Sequence, residues 1–290
     1  MGDAWALRPL WLLGAIASLK LGGTVDFSGG AQRLAEQFDP TDPGTWVTTA
    51  LLAALAALTI AVVVFIGLSA RGALIRAGLR RARGETLTFR ESWHDGASTA
   101  GDLLLYDLFV WGVLVLPPTL VGLGLEMAAL TLDDLPMLVR MALGVGGGVI
   151  LALTLIGVIV LFVVNGFAYR YLLYEDAPPR IALQRGWDLF RAHVVPCIAA
   201  AALGISAGVV AWSVLLIVLA PLLLAATLSH AMLPSAEAAI RWTTVPFLLV
   251  LNLVLSGPQG VFVYQLWNRT FAELDPEAFA HGLRDPHLDV

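Results

Sequence analysis

Four stretches of this chain run without a charged side chain for longer than a helix needs to cross a bilayer: Thr45–Ala70, Met141–Tyr169, Val194–Ser229 and Trp242–Asn268. About 20 apolar residues cover the hydrocarbon core, and a backbone in lipid must satisfy its own hydrogen bonds, so each stretch predicts a spanning α-helix. A fifth stretch, Leu103–Leu125, is interrupted only by Asp107. Composition points the same way: 13% of residues are charged, where a soluble domain averages about 25%. A sixth segment, Pro9–Leu19 between Arg8 and Lys20, is short enough to be a re-entrant piece or a signal-peptide core, and Ala15-Ile16-Ala17 resembles a cleavage site. The acidic Asp3 and the outward reach of Arg8 and Lys20 favour a retained short helix.

Arginine placement sets the expected topology, because cytoplasmic loops hold an excess of Lys and Arg. Arg71, Arg76, Arg80, Arg81, Arg83 and Arg90 fall in one connecting segment, and Arg170, Arg180, Arg185 and Arg191 in another. The alternate loops, Gly22–Gly44, Glu126–Pro136 and His230–Arg241, are acidic or nearly free of basic residues, with Asp26, Glu36, Asp39, Asp42, Asp133 and Asp134 among them. The pattern places both termini and both basic loops in the cytoplasm, with the chain in the inner membrane. The net charge of −5 argues against nucleic acid as a partner.

A period of 94 residues organises the spans. Arg71-Gly72, Asn165-Gly166 and Gln259-Gly260 each follow a long uncharged run at that spacing, and Arg76 with Arg170 and Trp93 with Trp187 match in the same register. After Gly72 the helix continues as an amphipathic stretch that Gly84 ends, and a second piece starts near Thr88. After Gly166 the same occurs through Tyr174, with a turn at Pro178-Pro179 and a restart at Ile181. The restarts read as interfacial helices with Trp93 and Trp187 at headgroup level, and Trp5-Ala6-Leu7-Arg8 fits loosely as another. The expected fold is therefore an all-α polytopic membrane protein of about six transmembrane helices in three pseudo-repeated hairpins. Residues 1–272 form one transmembrane domain and residues 273–290 a charged cytoplasmic tail.

This layout resembles the membrane domain of glycerophosphoryl diester phosphodiesterases and related uncharacterised six-span bacterial and archaeal proteins. The residues that carry the resemblance are Pro9-Leu10-Trp11-Leu12-Leu13-Gly14, Gly72-Ala73-Leu74-Ile75-Arg76-Ala77 with Thr88-Phe89-Arg90-Glu91-Ser92-Trp93, and Ala182-Leu183-Gln184-Arg185-Gly186-Trp187. In that family the membrane region can precede a catalytic barrel. The short charged tail here leaves the resemblance implying a membrane domain without a carried-over activity.

Chemistry is sparse along the chain. No HExxH pair or phosphate-binding loop occurs, and His94, His193, His230, His281 and His287 have no metal-ligand spacing with carboxylates or with Cys197. Asp95-Gly96 through Asp102 lacks the downstream aspartates of an alcohol phosphatidyltransferase. No cofactor is expected, and no catalytic residue. Asp107 is the conspicuous intramembrane carboxylate; its shallow depth favours structural pairing with Arg76 or Arg170 over an ion site. Asn165, Asn252, Gln259 and Gln265 read as interhelical hydrogen-bonding groups, and Gly144, Gly146, Gly147 and Gly148 as points of close helix approach. Pro117-Pro118, Pro221, Pro246 and Pro258 predict kinks. The expected role is a noncatalytic module that packs with lipid or a membrane-protein partner, with anionic headgroups at Arg71, Arg76, Arg80, Arg81 and Arg83. A small transporter or flippase-like protein is the alternative.

Overall fold

The computed structural model describes residues 10–18, 43–86, 88–132, 134–232 and 237–283. Its helices are α1 (Trp11–Ser18), α2 (Pro43–Ala82), α3 (Phe89–Ser98), α4 (Ala100–Phe109), α5 (Leu116–Thr131), α6 (Met137–Tyr174), α7 (Pro179–Ala192), α8 (Val194–Met232), α9 (Glu237–Leu274) and α10 (Pro276–Leu283). A π-helical stretch, Val110–Val115, joins α4 to α5, and no strand occurs among the described residues. The expected interfacial piece Trp5–Arg8, the acidic loop up to Asp42, Asp133 and the tail beyond Leu283 lie outside the described residues.

Among the described residues four helical segments are long and apolar enough to cross a membrane: Trp46–Ala82, Ala100–Thr131, Met137–Tyr174 and Val194–Val214. Their surfaces explain why. From Trp46 to Val62 every side chain of α2 is exposed, on all sides of the helix. On α6, Leu138 is 82% and Leu153 63% exposed. A helix that is apolar all round and unburied needs an apolar solvent. Burial is concentrated near the arginine-rich ends, over Leu68–Ile75 of α2 and Val163–Asn165 of α6.

Local sequence sets the helix limits. Gly84, at φ +79°, ends the extension of α2, with its N–H donated to Arg81 O and that of Glu85 to Arg80 O. Thr88 and Glu91 form a capping box at the start of α3: Thr88 Oγ1 donates to Glu91 Oε2 at 2.7 Å and accepts the Glu91 N–H. Pro179 occupies the first turn of α7. The kink expected at Pro117-Pro118 takes the form of the π-helical stretch before them. There the Leu116 N–H reaches back five residues to Trp111 O, which carries the ladder past two residues without donors.

The chain divides into two compact units. In the unit holding residues up to Leu74, 87–98 and 207–263, α1 lies directly on α9: a methyl group on Gly257 would stand 2.6 Å from Trp11 O. In the same unit Gly96 of α3 fits against Ser69 and Ala73 of α2. The other unit holds residues 75–86, 99–206 and 264 onward. Here α5 and α6 form a tight hairpin at Gly122 and Gly147, where a methyl on Gly147 would meet Gly122 O at 2.8 Å. Helix α7 lies on α6 through buried Ala182, Gly186 and Leu189. Helix α10 also folds onto α6, with Gly282 against Tyr174 and Leu79. Helix α9 runs to Leu274, two residues past the expected boundary at residue 272, and α10 follows it.

Candidate functional site

Among the described residues the largest fully buried side chain is an arginine, Arg170, just before the last turn of α6. Its three nitrogens are taken by neutral oxygens. Nε donates to Asn268 Oδ1 at 2.9 Å, NH2 to Tyr264 O at 3.0 Å, and NH1 to Gly166 O one turn back on its own helix. Tyr174, also buried, shares its hydroxyl proton between Ile75 O at 3.0 Å and Asn268 Oδ1 at 3.2 Å, while Asn268 Nδ2 donates to Ile75 O. Three helices, α2, α6 and α9, are thereby tied at one level. A buried guanidinium costs little only when its donors are satisfied. The Tyr171, Tyr174, Phe271 and Phe279 rings pack edge to face around the tie.

A second polar group joins α4 to α6. Tyr106 donates to Asn165 Oδ1 at 2.5 Å and Tyr169 to Asp107 Oδ1 at 2.6 Å, with the two tyrosine rings edge to face at 5.0 Å. Asn165 therefore does act between helices, as the sequence indicated. The pairing expected for Asp107 is corrected. All three nitrogens of Arg170 face other partners, and the Nε of Arg76 is buried without an acceptor. Asp107 is met instead by the residue preceding Arg170. The two neighbours point to different sides of α6, so the arginine turns inward to α9 and the tyrosine toward α4.

The remaining expected positions are dispersed. Gln259 faces Gly208 of α8. Trp93 is half-buried and stacked on Phe89, and Trp187 is 42% exposed. Gly72 and Gly260 are buried and Gly166 is half-buried, each inside a continuous helix; a methyl on Gly166 would strike the Trp267 ring at 2.8 Å. Of the arginine belt, Arg81 is exposed, Arg80 donates to Glu85 at 2.7 Å, and Arg83 donates to Gly282 O at the end of α10. Cys197 is buried. Among the described residues no three His, Cys, Asp or Glu side chains converge as a metal site.

Two features escaped the sequence reading. Glu126, taken there as the start of an external loop, lies within α5 and rests in the glycine groove of α6, its Oε1 3.3 Å from where a Gly148 methyl would be. Its signal was available: Glu126 is followed by the apolar Met127 and Leu130, both exposed, so the helix continues past it. The other is a shallow cavity of about 360 Å³ lined by Tyr171, Arg185, Asp188, Leu189, Ala192 and Asp275. It forms where α7 and the α9–α10 corner meet the end of α6, and no residue spacing in the sequence announces it. No protein-family model, curated protein or solved structure matches this chain.

Proposed function

We infer that this chain is a noncatalytic multi-pass module of the cytoplasmic membrane, with six spans in three hairpins and both termini in the cytoplasm. The observation that carries the reading is the division of α2 and α6. Trp46–Val62 of α2 and many apolar side chains along the middle of α6 are exposed, and the arginine-bearing end of each helix is buried, joined in a hydrogen-bonded tie whose polar groups serve packing. Lipid fits the first and a rigid inner-leaflet platform fits the second. The 38-residue length of α9 and its uncharged stretch from Trp242 support a further span, and α1 supports the start of the first. The hydrogen bonds Arg170–Tyr264 and Tyr174–Asn268 each join residues 94 apart, which supports the three-fold repeat. Exposed Arg81 at the cytoplasmic rim is suited to anionic headgroups.

Affinity purification from native membranes in mild detergent, with lipid and protein mass spectrometry, tests the role. A stoichiometric protein partner or a retained lipid class is the expected result. Purification of the chain alone and lipid-free, with substrate turnover, would overturn it. The transporter reading is favoured by one observation, the Glu126 carboxylate placed against α6 among exposed apolar side chains. It takes precedence if vesicles reconstituted with the protein carry an ion or lipid flux that Glu126→Gln abolishes.

A further inference from the structure

We propose that the cavity between α7 and the α9–α10 corner binds an amine-bearing zwitterionic phospholipid headgroup of the phosphatidylethanolamine type. This rests on the membrane-module reading, in which α7 lies at headgroup level with Trp187 and Ile181 exposed.

Arg185 and Asp188 stand three residues apart on α7, a spacing at which opposite charges on a helix ordinarily pair. They do not pair here. Arg185 turns to Glu175 and lies over the Tyr171 ring, 5.8 Å from its centre. Asp188 lines the cavity with no hydrogen bond or ion pair to a described residue. On the far wall Asp275 is fixed by the Tyr171 hydroxyl and by the Ala278 N–H at 3.0 Å. The cavity thus presents a half-exposed guanidinium with N–H donors beyond the one given to Glu175, a carboxylate three residues further along α7, and the Asp275 carboxylate in the same lining. A ligand that answers both charges carries an anion and a cation joined by a short linker. A phosphate takes Arg185 in charge-assisted hydrogen bonds and a primary ammonium takes Asp188. Leu189 and Ala192 supply the apolar wall on which the glycerol end rests.

The same geometry selects among headgroups. Phosphatidylcholine has the phosphate, but its quaternary ammonium has no N–H to donate. The open aromatic face that would hold it instead is covered, because Arg185 occupies the Tyr171 ring. Phosphatidylglycerol offers Asp188 only neutral hydroxyl donors and no cation.

The test uses the full-length protein in mild detergent, with phosphatidylethanolamine, phosphatidylcholine and phosphatidylglycerol of identical chains added and retention read by native mass spectrometry. Phosphatidylethanolamine is expected to be held about tenfold better than phosphatidylcholine, the value of one charge-assisted hydrogen bond. Asp188→Asn should erase that preference without changing the melting temperature, since the side chain is exposed and unbonded. Arg185→Gln should weaken retention of both lipids. Equal retention of the two lipids by the natural chain, or a preference that survives Asp188→Asn, overturns the proposal. Labelling of an Arg180→Cys variant in sealed and inverted vesicles keeps the two readings apart. Cytoplasmic labelling without a headgroup preference sinks the cavity proposal alone, and labelling from outside sinks the membrane placement.

Discussion

The Tyr174 hydroxyl lies 3.2 Å from Asn268 Oδ1, and the two residues stand 94 positions apart. Arg170 and Tyr264, joined through the NH2 donor, are separated by the same 94. Residues equivalent under a repeat meet directly when the repeated helices lie side by side at equal height around a shared axis. An experimental structure tests this by superposition of the three hairpins. Gly72, Gly166 and Gly260 should fall at one depth, and a spread of more than a helical turn, about 5.4 Å, would make the spacing a coincidence.

Arg170 is the most exacting side chain of the tie, since its planar fork serves two acceptors on α9 and one on α6. A lysine carries one ammonium on a flexible stem and cannot reach all three. Arg170→Lys should lower the stability of the detergent-solubilised protein by roughly 2 to 3 kcal/mol, the cost of buried groups left unsatisfied. Asn268→Leu should do the same, because it strands Arg170 Nε, while the Tyr174 hydroxyl keeps Ile75 O. Thermal melts of the purified variants check both, and a neutral Arg170→Lys would show that the guanidinium geometry is dispensable.

Asp107 and Tyr169 form a separable pair. Asp107→Asn and Tyr169→Phe should each destabilise, and the double variant should lose less than the sum, with a coupling of about 1 to 2 kcal/mol. Exchanging the charges of Asp107 and Arg170 should rescue nothing, because the arginine faces α9. Rescue by that exchange would restore the ion pair that the sequence alone recommended.

Much of the fold was legible because lipid imposes a length and leaves long uncharged runs as its trace. Gly84, Thr88 and Pro178-Pro179 marked helix limits correctly, since each acts through its own backbone geometry or cap. The partners of the polar residues were not legible. Asp107 has an arginine and a tyrosine within one residue of each other on α6, and only the rotation of that helix decides which one it meets. Glu126 was misplaced because a carboxylate after an apolar run ordinarily signals a loop. The glycines opposite it on α6, which make room for it inside the hairpin, come later in the chain and lie in no local pattern. The cavity beside α7 draws its lining from α6, α7 and the α9–α10 corner and could not be assembled from spacing.

The glycines of α6 are not equivalent, although four of them fall within five residues. A methyl on Gly147 would meet Gly122 O at 2.8 Å and Glu126 Cγ at 3.0 Å, whereas one on Gly146 meets nothing within 4 Å. Gly147→Ala should therefore force α5 away and cost about 1 to 3 kcal/mol. Gly146→Ala should be neutral or slightly stabilising, by up to about 1 kcal/mol, through the better helix propensity of alanine. Melting temperatures of the two variants side by side decide the matter, and equal effects would mean that the α5–α6 hairpin packs on another face.

The six-span topology makes opposite demands at named positions. Reporter fusions after Arg90, Arg185 and Arg284 should read as cytoplasmic, because the arginines of the intervening segments hold those loops on the inner side. Fusions near Asp39, Asp133 and Glu237 should read as external. The first external reading is the decisive one. Residues before Thr45 reach the outside only if the segment Pro9–Leu19 crosses the membrane or is removed; α1 within it packs against α9 at Gly14 and Gly257. A cytoplasmic Asp39 would reduce the number of spans and put the first loop beside the arginine belt. N-terminal sequencing separates the two external cases: a mature chain beginning at Met1 keeps six spans, whereas one beginning at Ser18 leaves five and an external N-terminus.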